Sequence, residues 1–201
     1  MTLCLSNDRI MPGRVPGITN IQDGDEYKMY KQVYNTDGEY GNQIVQDLIL
    51  PESHKKPDVI AKYEQYGKRI HWIDANVVPG SFQMNTSWYL RPNRPDDIDA
   101  ANKDSGMGSQ RQHTHDSDEI IGFYGTDPDD PYNLFGEIEF FIKGESHILT
   151  KSTLIFLPAG MEHCPLYINK VERPIFHFSI VMEPQYTLRH EGENSELKVA
   201  E

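Results

Sequence analysis

Between residues 81 and 90 the positions Phe82, Met84, Thr86, Trp88 and Leu90 alternate with Gln83, Asn85, Ser87 and Tyr89. Period two is the signature of a half-buried strand, because successive side chains leave opposite faces. The first set carries the aromatic and aliphatic residues and is therefore expected to face the core. Residues 69–78 predict a strand before it, joined at Pro79-Gly80. Further short β segments are expected at 120–125, 137–142, 146–150, 153–157, 166–169 and 175–182, with Lys143-Gly144-Glu145 and Glu172-Arg173-Pro174 as turns. Apolar stretches between residues 27 and 50, notably 43–50, also suggest strands. One segment breaks the pattern: residues 57–67 open on Pro57, close on Gly67 and put Val59, Ile60, Tyr63 and Tyr66 on one flank, which predicts a short helix.

Many short strands, little helix and no repeat with a period of about 20 to 50 residues argue for an all-β sandwich or small barrel. The expected organisation is an N-terminal arm and extension with the helix over 1–68, a β-barrel over 69–184 and a polar tail over 185–201. Residues 91–109 are expected to form a long polar loop, either plain surface or a lid. Charge narrows the partners. The 201 residues carry a formal net charge of -12, which leaves no basic stripe for a nucleic-acid backbone and predicts no nucleic-acid partner. Cys4 and Cys164 make no C-x-x-C spacing and no disulfide framework, as suits a reducing compartment. The N-terminal residues show no signal pattern, and no run approaches the ~20 apolar residues of a membrane span. A soluble cytoplasmic protein without a membrane partner is the expectation.

Chemistry concentrates in two places. His113 and His115 lie two apart, so on an extended backbone both imidazoles point to one side, and Glu119, four residues on, keeps that side if the strand continues. Pro158-x-Gly160 is a turn that can stop one strand and re-aim the next, and His163 follows it. Three imidazoles and a carboxylate suit a divalent transition metal: imidazole accepts Zn, Fe, Cu or Ni, and the carboxylate favours Mn or Fe. Four ligands on a six-coordinate ion leave two positions for water or substrate, whereas a tetrahedral ion is closed. The competing reading puts His113 and His115 on a wet strand face and His163 at the surface. Cys164, next to His163, is expected to point the other way and to pack. His54, His71, His147 and His190 have no motif around them.

The spacing His113-x-His115-x3-Glu119, followed by Pro158-x-Gly160-x2-His163, resembles the two boxes of the cupin superfamily. Those boxes read Gly…His-x-His-x3-Glu…Gly and Gly…Pro-x-Gly-x2-His…Asn, and the flanking positions here are Gly108, Gly125, Ser152 and Asn169. Ser152 stands where the second box opens on glycine. The resemblance implies a double-stranded β-helix, the jelly-roll barrel of cupins, with one metal site on His113, His115, Glu119 and His163. It also implies a homodimer. The ion would be Fe, Mn, Zn or Ni, and the substrate a small oxygen-bearing metabolite with carboxylate, carbonyl or sugar-like character. Dioxygenase and isomerase or lyase chemistry are both expected outcomes, with a non-catalytic small-molecule binding or sensing cupin as the alternative. Arg111 shares parity with His113 and His115 and could hold a substrate carboxylate. His177 interrupts an apolar strand, either as a core histidine or as a general acid or base. Glu119 could also take a proton. Tyr124, Glu137 and Glu139 are further pocket candidates.

Overall fold

The computed structural model describes residues 40–51, 54–94, 111–190 and 198–199. The expected N-terminal arm, most of the 91–109 loop and most of the polar tail lie outside the described residues. Among the described residues one helix, α1 (Pro57–Glu64), precedes β1 (Gly67–Ile73), β2 (Gln83–Tyr89), β3 (Glu119–Tyr124), β4 (Asn133–Ile142), β5 (Glu145–Lys151), β6 (Thr153–Leu157), β7 (His163–Val171) and β8 (Ile175–Val181). A two-residue ribbon, β9 (Thr187–Leu188) with β10 (Lys198–Val199), follows. Pro57 occupies the first turn of α1, where its missing N–H has no helical partner to lose. Tyr63 ties the helix down, donating its hydroxyl to Ser87 Oγ at 2.6 Å.

The strands form two antiparallel sheets, ordered β1-β2-β8-β3-β6 and β5-β4-β7. β3 pairs with β6 and β8, and β4 with β5 and β7, so the chain crosses between the sheets from β3 to β4, from β5 to β6, from β6 to β7 and from β7 to β8. That connectivity is a jelly roll. Between the sheets lie Ile121, Phe123, Leu157 and Ile175 from the larger and Ile138, Phe140, Leu166 and Ile168 from the smaller, all buried.

Register decides what else faces inward. Leu157, Glu119, Val181 and Gln83 form one cross-strand row, and Phe123, His177, Ser87 and Arg69 another. Residues directly opposite share a face. Ile175, His177, Ser179 and Val181 on β8 are buried while Phe176, Phe178 and Ile180 between them are half-buried, so these rows point inside. The face of β2 expected to be core is therefore the outer one. Gln83, Ser87 and Tyr89 are buried, and Phe82 and Leu90 are 48% and 46% exposed. The reason is that both faces of this sheet are rich in apolar groups. Outside, Trp88 meets Phe176 with ring centres 5.3 Å apart and Phe178 stacks on Tyr124 at 6.2 Å. Alternation fixes which residues share a face but not which face is inside.

The strand expected over 43–50 is replaced by a single 3-10 turn, Gly41–Gln43, and an irregular stretch. Ile44 and Leu48 are exposed there, 47% and 40%, so the apolar residues that suggested a strand do not enter the core.

Candidate metal centre

His113 and His115 sit on a short extended segment stitched on both sides. His113 exchanges backbone hydrogen bonds with His163 (3.1 and 3.0 Å), and Thr114 exchanges them with Arg189 (2.9 Å each way). Glu119 opens β3 and His163 opens β7. The turn before His163 is fixed by Gly160, at φ +75°, whose N–H donates to the His115 carbonyl at 2.8 Å, and by Ala159, whose N–H donates to Asp118 Oδ1 at 2.9 Å. Two separate segments are thereby locked edge to edge. Their four side chains are nearly sealed from solvent, His113 at 2%, His115 and Glu119 at 3% and His163 at 1% exposure.

Each imidazole is oriented the same way. Nδ1 of His113 donates to Arg111 O (2.7 Å), that of His163 to Met161 O (2.9 Å) and that of His115 to Thr187 O. A carbonyl only accepts, so Nδ1 carries the proton and Nε2 is left with a lone pair, the orientation of metal-ligating histidines. Glu119 Oε2 lies 3.0 Å from His163 Nε2 and 3.4 Å from His115 Nε2. Neither contact has hydrogen-bond alignment, and both His115 Nε2 and Glu119 Oε2 are buried without a partner. Buried polar atoms are rarely left so. Ligand atoms about 2.1 Å from a common ion are separated by about 3.0 Å at adjacent octahedral positions and about 3.4 Å in a tetrahedron. The cluster fits an ion on this ground.

The four expected ligands fall into two overlapping triads rather than one set. His115, Glu119 and His163 bring ligand atoms within 4.8 Å of one another, and so do His113, His163 and Cys164. Cys164 does not point away, as strand alternation had suggested. It takes φ +69° at an irregularity in the β4–β7 register, where three steps on β7 answer two on β4. Such a bulge re-aims a side chain.

Burial alone would lift the Glu119 carboxyl, but His115 and His163 against it outweigh that and hold it at about 2. His115 is also pushed down by burial, yet Glu119 more than reverses this and raises it above its ordinary value. Burial, then the neighbouring His163 and His115, lower His113 to about 3. Burial raises the Cys164 thiol well above its ordinary value, and the Glu119 charge adds to it.

The other expected residues are distributed differently. His177 faces inward, stacked between Tyr89 (4.8 Å) and Phe123 (5.0 Å), with Nδ1 3.1 Å from Gly122 O; burial lowers it to about 4. Arg111 is exposed and meets the site only through its carbonyl. Glu139 pairs with Arg94, Glu137 accepts from Asn169, and Tyr124 lies on the outer face. Sequence reading missed the chain after residue 184. Tyr186 packs its ring 5.2 Å from His115, Thr187 orients that histidine, and His190 lies 6.3 Å from His113 with its Nδ1 on Gln112 O. The alternation Tyr186, Leu188 within an otherwise polar tail was the available signal.

Fold and cluster together define an all-β jelly-roll protein with an interior imidazole–carboxylate centre. No family model matches the sequence, and no curated protein matches it. Solved structures similar to it include a sugar phosphate isomerase of the cupin superfamily from Silicibacter pomeroyi, with 13% identity over 76% of this chain and 80% of that one and a TM-score of 0.40. An oxalate oxidase in complex with glycolate shows 13% identity over 76% of this chain and 64% of that one, with a TM-score of 0.41. KdgF from Halomonas sp. shows 12% identity over 60% and 78%, with a TM-score of 0.33. The activities of those proteins are their own.

Proposed function

We propose that this chain is a metal-dependent cupin acting on a small oxygen-bearing metabolite, as a dioxygenase or as an isomerase or lyase. His113, His115, Glu119 and His163 would hold a divalent transition metal, Fe, Mn, Zn or Ni. The observation that carries this reading is the shared orientation of three imidazoles, each Nδ1 committed to a carbonyl, around a carboxylate oxygen with no aligned partner. A bound ion would supply Lewis-acid polarisation of a substrate oxygen. The chain's own residues supply the rest. Glu119, the carboxylate of the cluster itself, stays ionised between His115 and His163. His177 is neutral, with its proton on Nδ1, so its Nε2 is free to accept a proton from within the barrel. Tyr186 keeps its hydroxyl proton, because burial raises it well above its ordinary value, and can donate it. Sealing by the surrounding strands keeps bulk water from competing for these positions.

Elemental analysis of the purified protein tests the reading, with about one ion per chain expected and loss of it in His163→Ala, the residue common to both triads. O₂ uptake with catechols and keto acids, with His115→Ala as control, separates oxygenase chemistry from isomerase or lyase chemistry. The near-complete burial of the four ligands favours a second reading, a binding or sensing module in which the ion only orients a ligand. Metal retention without turnover of any such substrate would select it. We place a second copy of the chain as the macromolecular partner, on the apolar outer face of the larger sheet. Among the described residues no helix is long and apolar enough to cross a membrane.

A further inference from the structure

The interior that holds the imidazole cluster also holds a cation with no counter-ion among the described residues. Arg69 leaves β1 in the inward row of Ser87, His177 and Phe123. Its guanidinium lies 4.3 Å from the centre of the Tyr63 ring and 5.9 Å from that of Trp72. Ion pairs among the described residues use Arg94, Lys170, Arg173 and Arg189 but not Arg69, and Arg69 Nε is buried with no hydrogen-bond partner. Aromatic faces compensate a guanidinium only in part, and its planar fork is built to grip a carboxylate with two parallel hydrogen bonds. The charge is half-buried, so it is sheltered from bulk water yet reachable.

Two further observations connect it to the metal centre. Trp72, beside the guanidinium, has its ring 6.0 Å from Tyr186, which in turn lies 5.2 Å from His115, so one aromatic chain runs from cation to cluster. Gln83, fully buried, stands in the same row as Glu119 with only Val181 between them, and both of its amide atoms lack a partner. An unpaired donor and acceptor at that depth call for a polar ligand.

We propose that Arg69 is the carboxylate-binding residue of this interior, and that the molecule the protein takes carries a carboxylate at one end and an oxygen function at the other, near Gln83 and the cluster. This places the anion clamp on β1 rather than at Arg111. The position of the oxygen-bearing end rests on the metal-centre reading above; the carboxylate end does not.

The test uses the full chain and titration calorimetry with 4-oxopentanoate and benzoate, each against its uncharged amide, on metal-loaded and metal-free protein. The acids are expected to bind at least tenfold tighter than the amides, with that preference lost in Arg69→Gln, reduced in Arg69→Lys and kept in Arg173→Gln. Metal content stays unchanged in all three variants. A wild-type protein that shows no preference for the acids in either form, or an Arg69→Gln variant that keeps it, overturns the proposal. If the chain takes up no metal, the metal-centre reading fails while the same comparison on metal-free protein still decides Arg69. Should Arg69→Gln not fold, phenylglyoxal labelling of wild-type Arg69 read by mass spectrometry replaces it: slower labelling under acid than under amide supports the clamp, and equal labelling removes it.

Discussion

Gly160 shows how a single residue sets the position of a ligand. Its φ of +75° lies in the left-handed region, and a Cβ added there would meet nothing within 4 Å, so the objection to a side chain is conformational rather than steric. Gly160→Ala is expected to cost about 1 kcal/mol in urea denaturation. Because the Gly160 N–H also pins the His115 carbonyl, the same variant should weaken metal uptake in a competition assay with a chelating dye. A loss of stability with unchanged metal affinity would show that the turn does not position His163. Cys164 illustrates the opposite case. Its φ of +69° is unusual for a residue with a side chain; Pro165 inside the strand signals an irregularity, but nothing in the sequence says that it turns the Cys164 sulfur toward His113 and His163.

At the scale of elements, β2 carries the main conflict between sequence pattern and structure. Gln83 is fully buried with both amide atoms unpartnered, a cost of about 1–3 kcal/mol for the desolvated polar group. Gln83→Leu, similar in volume, should therefore raise the melting temperature of the ligand-free protein, by a change worth about 1–2 kcal/mol, while weakening carboxylate binding. A variant that is less stable would mean that the amide is satisfied in solution. The period-two pattern of β2 was legible, as were α1 and most strands from β3 to β8, because each rests on local alternation or on Pro and Gly punctuation. So were the His113, His115, Glu119 and His163 spacings, since parity on an extended chain follows from two-residue geometry. The face of β2 was not legible. Its orientation depends on Ser87 meeting His177 and Gln83 meeting Val181 across β8, 90 and 98 positions away in sequence, and on an outer face that is itself apolar. Arg69 escaped for the same reason, whereas Arg111, adjacent to the motif, shared its parity but lies at a surface-exposed end of the segment.

Taken as a whole, the molecule balances buried neutral histidines inside against an apolar sheet outside, and each has a measurable consequence. Burial, with help from Arg69, holds His54 at about 3, burial holds His177 at about 4, and burial with the neighbouring His163 and His115 holds His113 at about 3, against 6.5 for the unfolded chain. Below pH 6.5 the unfolded state binds protons that the folded state does not, so stability of the metal-free protein falls as pH drops toward 4, by about 1.4 kcal/mol per pH unit for each histidine. His115, raised in the fold, acts only above 6.5, and Glu119, held at about 2, acts only below 4.5, so neither cancels the slope in that window. Chemical denaturation at pH 6 and pH 5 checks it; a flat profile would mean that these rings are protonated in the fold. Outside, the rows Phe156, Ile120, Ile180, Met84 and Tyr124, Phe176, Trp88 run across the larger sheet. Leu154 and Phe156 are 59% and 60% exposed on it. If two copies of a chain of net charge -12 meet as proposed, this uncharged patch is a face on which they do so with little mutual repulsion. Light scattering after size exclusion should give twice the 23.1 kDa chain mass, and Leu154→Glu with Phe156→Glu should halve it without loss of fold, since both side chains point away from the core. A wild-type monomer, or a double variant that still dimerises, would move the subunit contact off this sheet.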